Sequence, residues 1–157
     1  MKGIFSVLVE NKDGVLSGVS GLFARRGYNI DSLAVGETEQ HDVSSMTIVS
    51  TGDTRTIDQI EKQLNKQVDV IKVRRLEESR CISLEMMLIR VSYTPTNRGG
   101  LIEICNVMGA KIMQLAQKSM VIELHAAPET VEEFINLVRS FGILEVQRTG
   151  TIAMTRA

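Results

Sequence analysis

The apolar positions of this chain run through one cycle twice, and that repetition limits the folds open to it. Residues 4 to 9, IFSVLV, read as a strand. Val15, Leu16, Val19, Leu22 and Phe23 then recur at helical spacing. Arg25, Arg26 and Gly27 supply the cationic last turn and left-handed residue that commonly end helices, and Asp13 is the expected N-cap, so the helix is expected over roughly 14–26. Two strands follow, expected over 28–35 and 43–49 around the polar loop 37–42, as an antiparallel hairpin. Gly52-Asp53-Thr54 opens a helix carrying Ile57, Ile60 and Leu64 on one face, and 68–76 closes the cycle as a strand.

The charged bridge Glu77-Glu78-Ser79-Arg80 precedes a second cycle. Ile82, Leu84, Met86 and Leu88 alternate with Ser83, Glu85 and Met87 as a strand, and Leu101, Ile104, Cys105 and Met108 make a helical face. Strands are expected over 110–117 and 120–124, then a helix bearing Val131, Phe134, Ile135 and Val138, then a strand over 143–148 after Gly142. Each half therefore reads βαββαβ. This predicts an α+β protein of two tandem ferredoxin-like domains, 1–76 and 77–157, each with two helices on one face of an antiparallel sheet. Open four-stranded sheets leave bare edges, which predicts at least a homodimer.

Composition narrows the function. Among 157 residues, 18 Lys+Arg stand against 19 Asp+Glu, so no basic excess points to nucleic acid. The opening segment MKGIFSVLVENKDG breaks its apolar run with charge too early for a signal peptide, and no later run suits a bilayer span; a cytoplasmic protein without a membrane partner is expected. Cys81 and Cys105 suggest neither a disulfide framework nor a thiolate metal site, and His41 and His125 lack companions at metal-ligand spacing. Adjacent Glu77 and Glu78 read as a solvated charge run. Phosphate-binding glycine loops and nucleophile elbows are missing, so catalysis by this chain alone is not expected.

The best candidate site is the start of the first helix. The backbone N–H groups of Gly14, Val15 and Leu16 lack intrahelical partners and suit a carboxylate, and the Asn11 carbonyl suits an ammonium group. Asn29 has a route to the same place from a second copy paired at a neighbouring edge strand. These residues also serve an ordinary turn, with Asp13 capping and Asn29 starting a strand, and spacing alone leaves both readings open. Gly14, Gly18 and Gly21 share a face of the helix at about 1 kcal/mol each relative to alanine, which predicts a close contact with ligand or protomer, or else tolerated surface glycine.

The segments VENKDGVLSGVSGLFARRGYNIDSLAVGET and FGILEVQRTGTIAMTRA resemble the opening and closing parts of acetolactate (acetohydroxyacid) synthase small, regulatory subunits, and the likeness covers nearly the whole chain. Leu124-His125-Ala126 departs from the Thr-Gly pair usual there. The resemblance implies an amino-acid-sensing ACT domain in the first half. It implies a non-catalytic subunit that activates a separate thiamine-diphosphate-dependent catalytic (large) subunit and confers feedback inhibition by valine, in branched-chain amino acid biosynthesis. It further implies ACT domains paired through edge strands, with valine at their interface on Asn11, Gly14, Val15, Leu16, Asn29 and Ile30. No cofactor is expected in this chain; thiamine diphosphate, Mg²⁺ and FAD would belong to the catalytic partner. The alternative is a free-standing ACT-type sensor acting on another enzyme or a transcription regulator.

Overall fold

The computed structural model describes all residues, Met1–Ala157. The chain forms two compact units, one of Met1–Ser83 with Thr151–Ala157 and one of Leu84–Gly150.

In the first unit the order is β1 (Lys2–Glu10), α1 (Val15–Arg26), β2 (Ser32–Glu37), β3 (Val43–Thr51), α2 (Thr54–Asn65) and β4 (Val70–Leu76). The sheet runs β2-β3-β1-β4, all antiparallel, with β1 central against β3 and β4. Alternation along β1 sends Phe5, Val7 and Val9 into one core with Val15, Val19, Leu22 and Phe23 of α1 and Ile57, Ile60 and Leu64 of α2. A fully buried Ile, Leu or Phe contributes about 1.5–3 kcal/mol, so this layer dominates the unit's stability. Phe23 and Tyr28 meet edge to face, 5.9 Å between ring centroids, anchoring the chain as it leaves α1. Asp53 caps α2, its carboxylate accepting from the Thr56 N–H at 2.7 Å.

The second unit repeats the cycle with β5 (Cys81–Ser92), α3 (Arg98–Met108), β6 (Lys111–Leu115), β7 (Ser119–Ala126), α4 (Pro128–Val138) and β8 (Ile143–Arg148), in sheet order β6-β7-β5-β8. Its core gathers Met87, Ile89, Val91, Leu101, Cys105, Ile122, Val131, Phe134 and Val138. Gly142, at φ 107, lets β8 begin beside β5: a Cβ there would lie 2.4 Å from the Ser92 hydroxyl, which donates to the Phe141 carbonyl at 2.7 Å.

The two βαββαβ cycles are as expected, with corrections in detail. Asp13 is not the N-cap of α1; Gly14 is, in the left-handed region, and no side chain caps the helix. The first hairpin strand starts at Ser32 because Gly27–Asp31 is consumed in turning off the helix. On β5 the alternation is present, yet Ile82, Leu84, Met86 and Leu88 occupy the exposed side while Glu85 and Met87 are buried. Ile89 and Val91 continue the inward phase, and Glu85 is tolerated there because Arg148 pairs with it.

The compact units also differ from a division at 76/77. The charged bridge holds a 3₁₀ turn, Glu78–Arg80, and the first unit continues through Ser83. It also regains the last seven residues, which hold an unanticipated strand, β9 (Ile152–Thr155), pairing with β5. The Thr151 N–H donates to the Ser32 hydroxyl at 2.8 Å, and the Arg156 N–H donates to the Arg80 carbonyl at 2.9 Å. Ala153 packs on Ile4, Val49, Leu76 and Cys81, on the sheet face away from α1 and α2.

Candidate functional site

The β1–α1 junction places a left-handed glycine directly before an uncapped helix. Gly14 sits at φ 85, a conformation that favours glycine, with nothing within 4 Å of where a Cβ would project. The helical ladder begins when the Gly18 N–H donates to the Gly14 carbonyl at 2.9 Å, leaving the first-turn N–H groups directed outward. The first turn carries no acidic side chain to occupy that positive end. Val15 contributes only its backbone, since its side chain is buried in the core; Leu16 presents an exposed apolar side chain.

Asn11 lies beside this helix start and is held there. Its carboxamide Nδ2 donates to the His41 carbonyl at 2.8 Å and to Glu37 Oε1 at 3.3 Å, while its backbone N–H donates to the Asp42 carbonyl at 2.8 Å. The nitrogen is thus engaged, while no hydrogen bond reaches the carboxamide oxygen of this exposed residue. His41 faces Glu37 in this turn at 3.3 Å. No cluster of three or more His, Cys, Asp or Glu side chains is arranged to hold a metal ion.

Asn29 and Ile30 lie at the other end of α1. Asn29 Nδ2 donates to Asp31, its carbonyl accepts from the Ser50 hydroxyl, and Ile30 packs partly buried against the core. Twelve residues of α1 span about 18 Å, so Asn11, Gly14 and Leu16 do not meet Asn29 and Ile30 within one chain. The six candidate residues thus fall into two groups, one at each end of α1.

Both cysteines are free and buried. Cys105 is fully buried, and that burial pushes its thiol above the ordinary range, away from thiolate chemistry. The Cys81 thiol approaches the Glu78 carbonyl at 3.7 Å and the Ser83 hydroxyl at 3.5 Å. Missed in the sequence was the Glu85–Arg148–Glu132 ion cluster, in which Arg148 Nη1 lies 2.6 Å from Glu132; hydrogen bonding to Glu85 raises the Arg148 pKa further. A charged residue among apolar neighbours at an inward phase was its only signal.

Two ferredoxin-like βαββαβ units, each an antiparallel sheet with two helices, define the class of protein by its fold. Residues 5–72 match the model of the ACT domain of acetohydroxyacid synthase small subunits, and 84–157 match that of the small subunit of acetolactate synthase. The chain is 47% identical over 156 residues to a probable acetolactate synthase small subunit of Archaeoglobus fulgidus, covering 99% of this chain and 98% of that one. It is 45% identical to the acetolactate synthase small subunit of Mycolicibacterium smegmatis, over 96% of this chain and 89% of that one. The crystal structure of the acetolactate synthase small subunit from Thermotoga maritima superposes with a TM-score of 0.91 at 38% identity, covering 100% of this chain and 98% of that one. The chain belongs to the acetolactate synthase small-subunit family, and its first half is an ACT domain.

Proposed function

We propose that this chain is a non-catalytic regulatory subunit that activates an acetolactate synthase catalytic subunit and makes it sensitive to valine, bound between two copies of the ACT domain. The observation that supports the reading is the tie from Asn11 to Glu37, because Glu37 ends an edge strand that carries no device against pairing.

The two edges of the first sheet differ. β4 is irregular against β1, with a register shift at Leu8/Val9, and carries Lys72, Arg74 and Arg75, features that discourage pairing with another strand. β2, SLAVGE, has neither cation, proline nor bulge. Antiparallel pairing of β2 with its copy runs the start of one strand beside the end of the other. Asn29 and Ile30 of a second copy then come beside Glu37, and so beside Asn11 and Gly14. The two half-sites unite, twice per dimer.

In that arrangement the valine carboxylate takes the N–H groups of Gly14, Val15 and Leu16, and the ammonium group takes the outward carboxamide oxygens of Asn11 and Asn29. Leu16 and Ile30 wall the branched side chain. A tenfold regulatory effect needs about 1.4 kcal/mol of differential binding, within reach of one such pocket. Thiamine diphosphate, Mg²⁺ and FAD are assigned to the catalytic partner.

The test combines the purified chain with a catalytic subunit, with and without valine, alongside sedimentation of the chain alone. Raised acetolactate formation that valine suppresses, from a dimer, supports the reading. No stimulation refutes the subunit assignment, and stimulation indifferent to valine, leucine and isoleucine refutes the effector pocket.

A further inference from the structure

The ACT sheet has a second recess, on the face opposite its helices. A cleft of about 490 Å³ opens between the outer side of β1 and β4 and the returning C-terminal strand, entirely within the first compact unit. Leu8 and Ala153 contribute apolar floor, and Met154, 74% exposed, stands at its rim. Lys72 and Arg74, two apart on β4, line the same side and carry no ion pair, whereas their neighbours Lys12 and Arg75 are held by Glu10 and Asp69 and by Asp58. Glu39 supplies the single carboxylate of the lining. Cationic groups beside apolar floor and an exposed methionine suit an acidic polypeptide segment with an apolar side chain.

Position distinguishes this cleft from a merely charged surface. Its far rim is Thr38 and Glu39, in the β2–β3 turn that Asn11 holds through Glu37 and the His41 carbonyl. Thr38 stiffens that turn, its hydroxyl donating to the Val43 carbonyl at 2.9 Å and accepting from the Gln40 N–H at 3.2 Å. One short turn therefore borders both the effector half-site and the cleft.

We propose that this cleft is a docking surface for an acidic, apolar-tipped segment of the catalytic partner, and that the 37–41 turn couples its occupancy to the effector site. The proposal rests on the regulatory-subunit reading and deepens it by naming the surface. Steering by Lys72 and Arg74 makes association sensitive to salt.

The experiment titrates the full chain into its catalytic subunit and reads the concentration giving half-maximal activation. The unaltered chain comes first: absence of activation overturns the functional reading itself, whatever the cleft does. Given activation, the double variant Lys72→Glu/Arg74→Glu is expected to raise the half-activating concentration about tenfold or more, with valine binding by calorimetry and dimer mass unchanged; Lys72→Arg/Arg74→Lys is expected to keep activation. Activation by the charge-reversed chain at the ordinary concentration overturns the proposal. A change in dimer mass assigns the cleft to contact between copies and equally overturns it. Should charge reversal impair folding, Met154→Asp, at a 74% exposed position, decides the matter: weakened activation supports docking here, and normal activation excludes it.

Discussion

Asn11 donates its carboxamide hydrogen to the backbone carbonyl of His41 at 2.8 Å, so the end of β1 and the β2–β3 turn are one mechanical piece. The same residue borders the uncapped start of α1. A ligand that engages the Asn11 oxygen therefore bears on the turn through a single side chain, without any need for a long relay.

Replacing Asn29 by alanine removes one carboxamide from the proposed ammonium site. The expected result is a rise of about tenfold in the valine concentration for half-inhibition, about 1.4 kcal/mol, with activation persisting when valine is absent. Inhibition curves measured on the reconstituted enzyme check this, and superimposable curves would remove Asn29 from the pocket.

The glycines of α1 predict effects of opposite sign. Gly14→Ala forces a side chain into φ 85 and is expected to destabilise the chain by about 1 kcal/mol and weaken valine binding, although space around it is open. Gly18→Ala and Gly21→Ala meet only the Gln67 side chain at 3.9 Å and the end of the flexible Arg25 side chain at 3.1 Å. Each is expected to stabilise the monomer fold by up to about 1 kcal/mol. Chemical denaturation read with dimerisation and valine response separates the two roles; stabilised variants with unaltered dimer and response show these to be ordinary surface positions.

Arg148→Met strands Glu85, whose side chain is 3% exposed, without its counter-charge. Breaking such a buried pair from one side costs about 3–5 kcal/mol, whereas Glu85→Leu/Arg148→Met is expected to recover most of it. Urea denaturation of the single and double variants reads the difference. A double variant no better than the single would assign the loss to packing.

Asp53 caps α2, and the hydrogen bond from the Thr56 N–H holds its carboxyl below the usual carboxylate range. A folded-state pKa below the unfolded value of about 3.9 contributes stability above that pH, lost as pH falls through the folded value. The gap in melting temperature between the protein and Asp53→Ala is expected at neutral pH and should narrow on acidification. Asp53→Asn, still a cap, should show a smaller and nearly pH-independent gap.

Both βαββαβ cycles, the buried stripes Val15/Val19/Leu22/Phe23 and Ile57/Ile60/Leu64, and the glycine end of α1 follow from local rules. Periodicity and backbone preference act over a few residues, so a linear reading finds them. The phase of β5 was less legible, because Met86 and Leu88 satisfy an alternating pattern as well as Met87 and Ile89 do. Only packing against α3 and α4 selects between them.

By itself the sequence determined the two βαββαβ cycles, their order and the stripes they bury, since each depends on spacing along the chain. Tertiary structure decided that the Asn11 carboxamide is tied to the β2–β3 turn, that Arg148 accompanies Glu85, and that the final seven residues return to the first compact unit. Those relationships join residues far apart in the chain, such as Thr151 and Ser32, through contacts that no local propensity encodes.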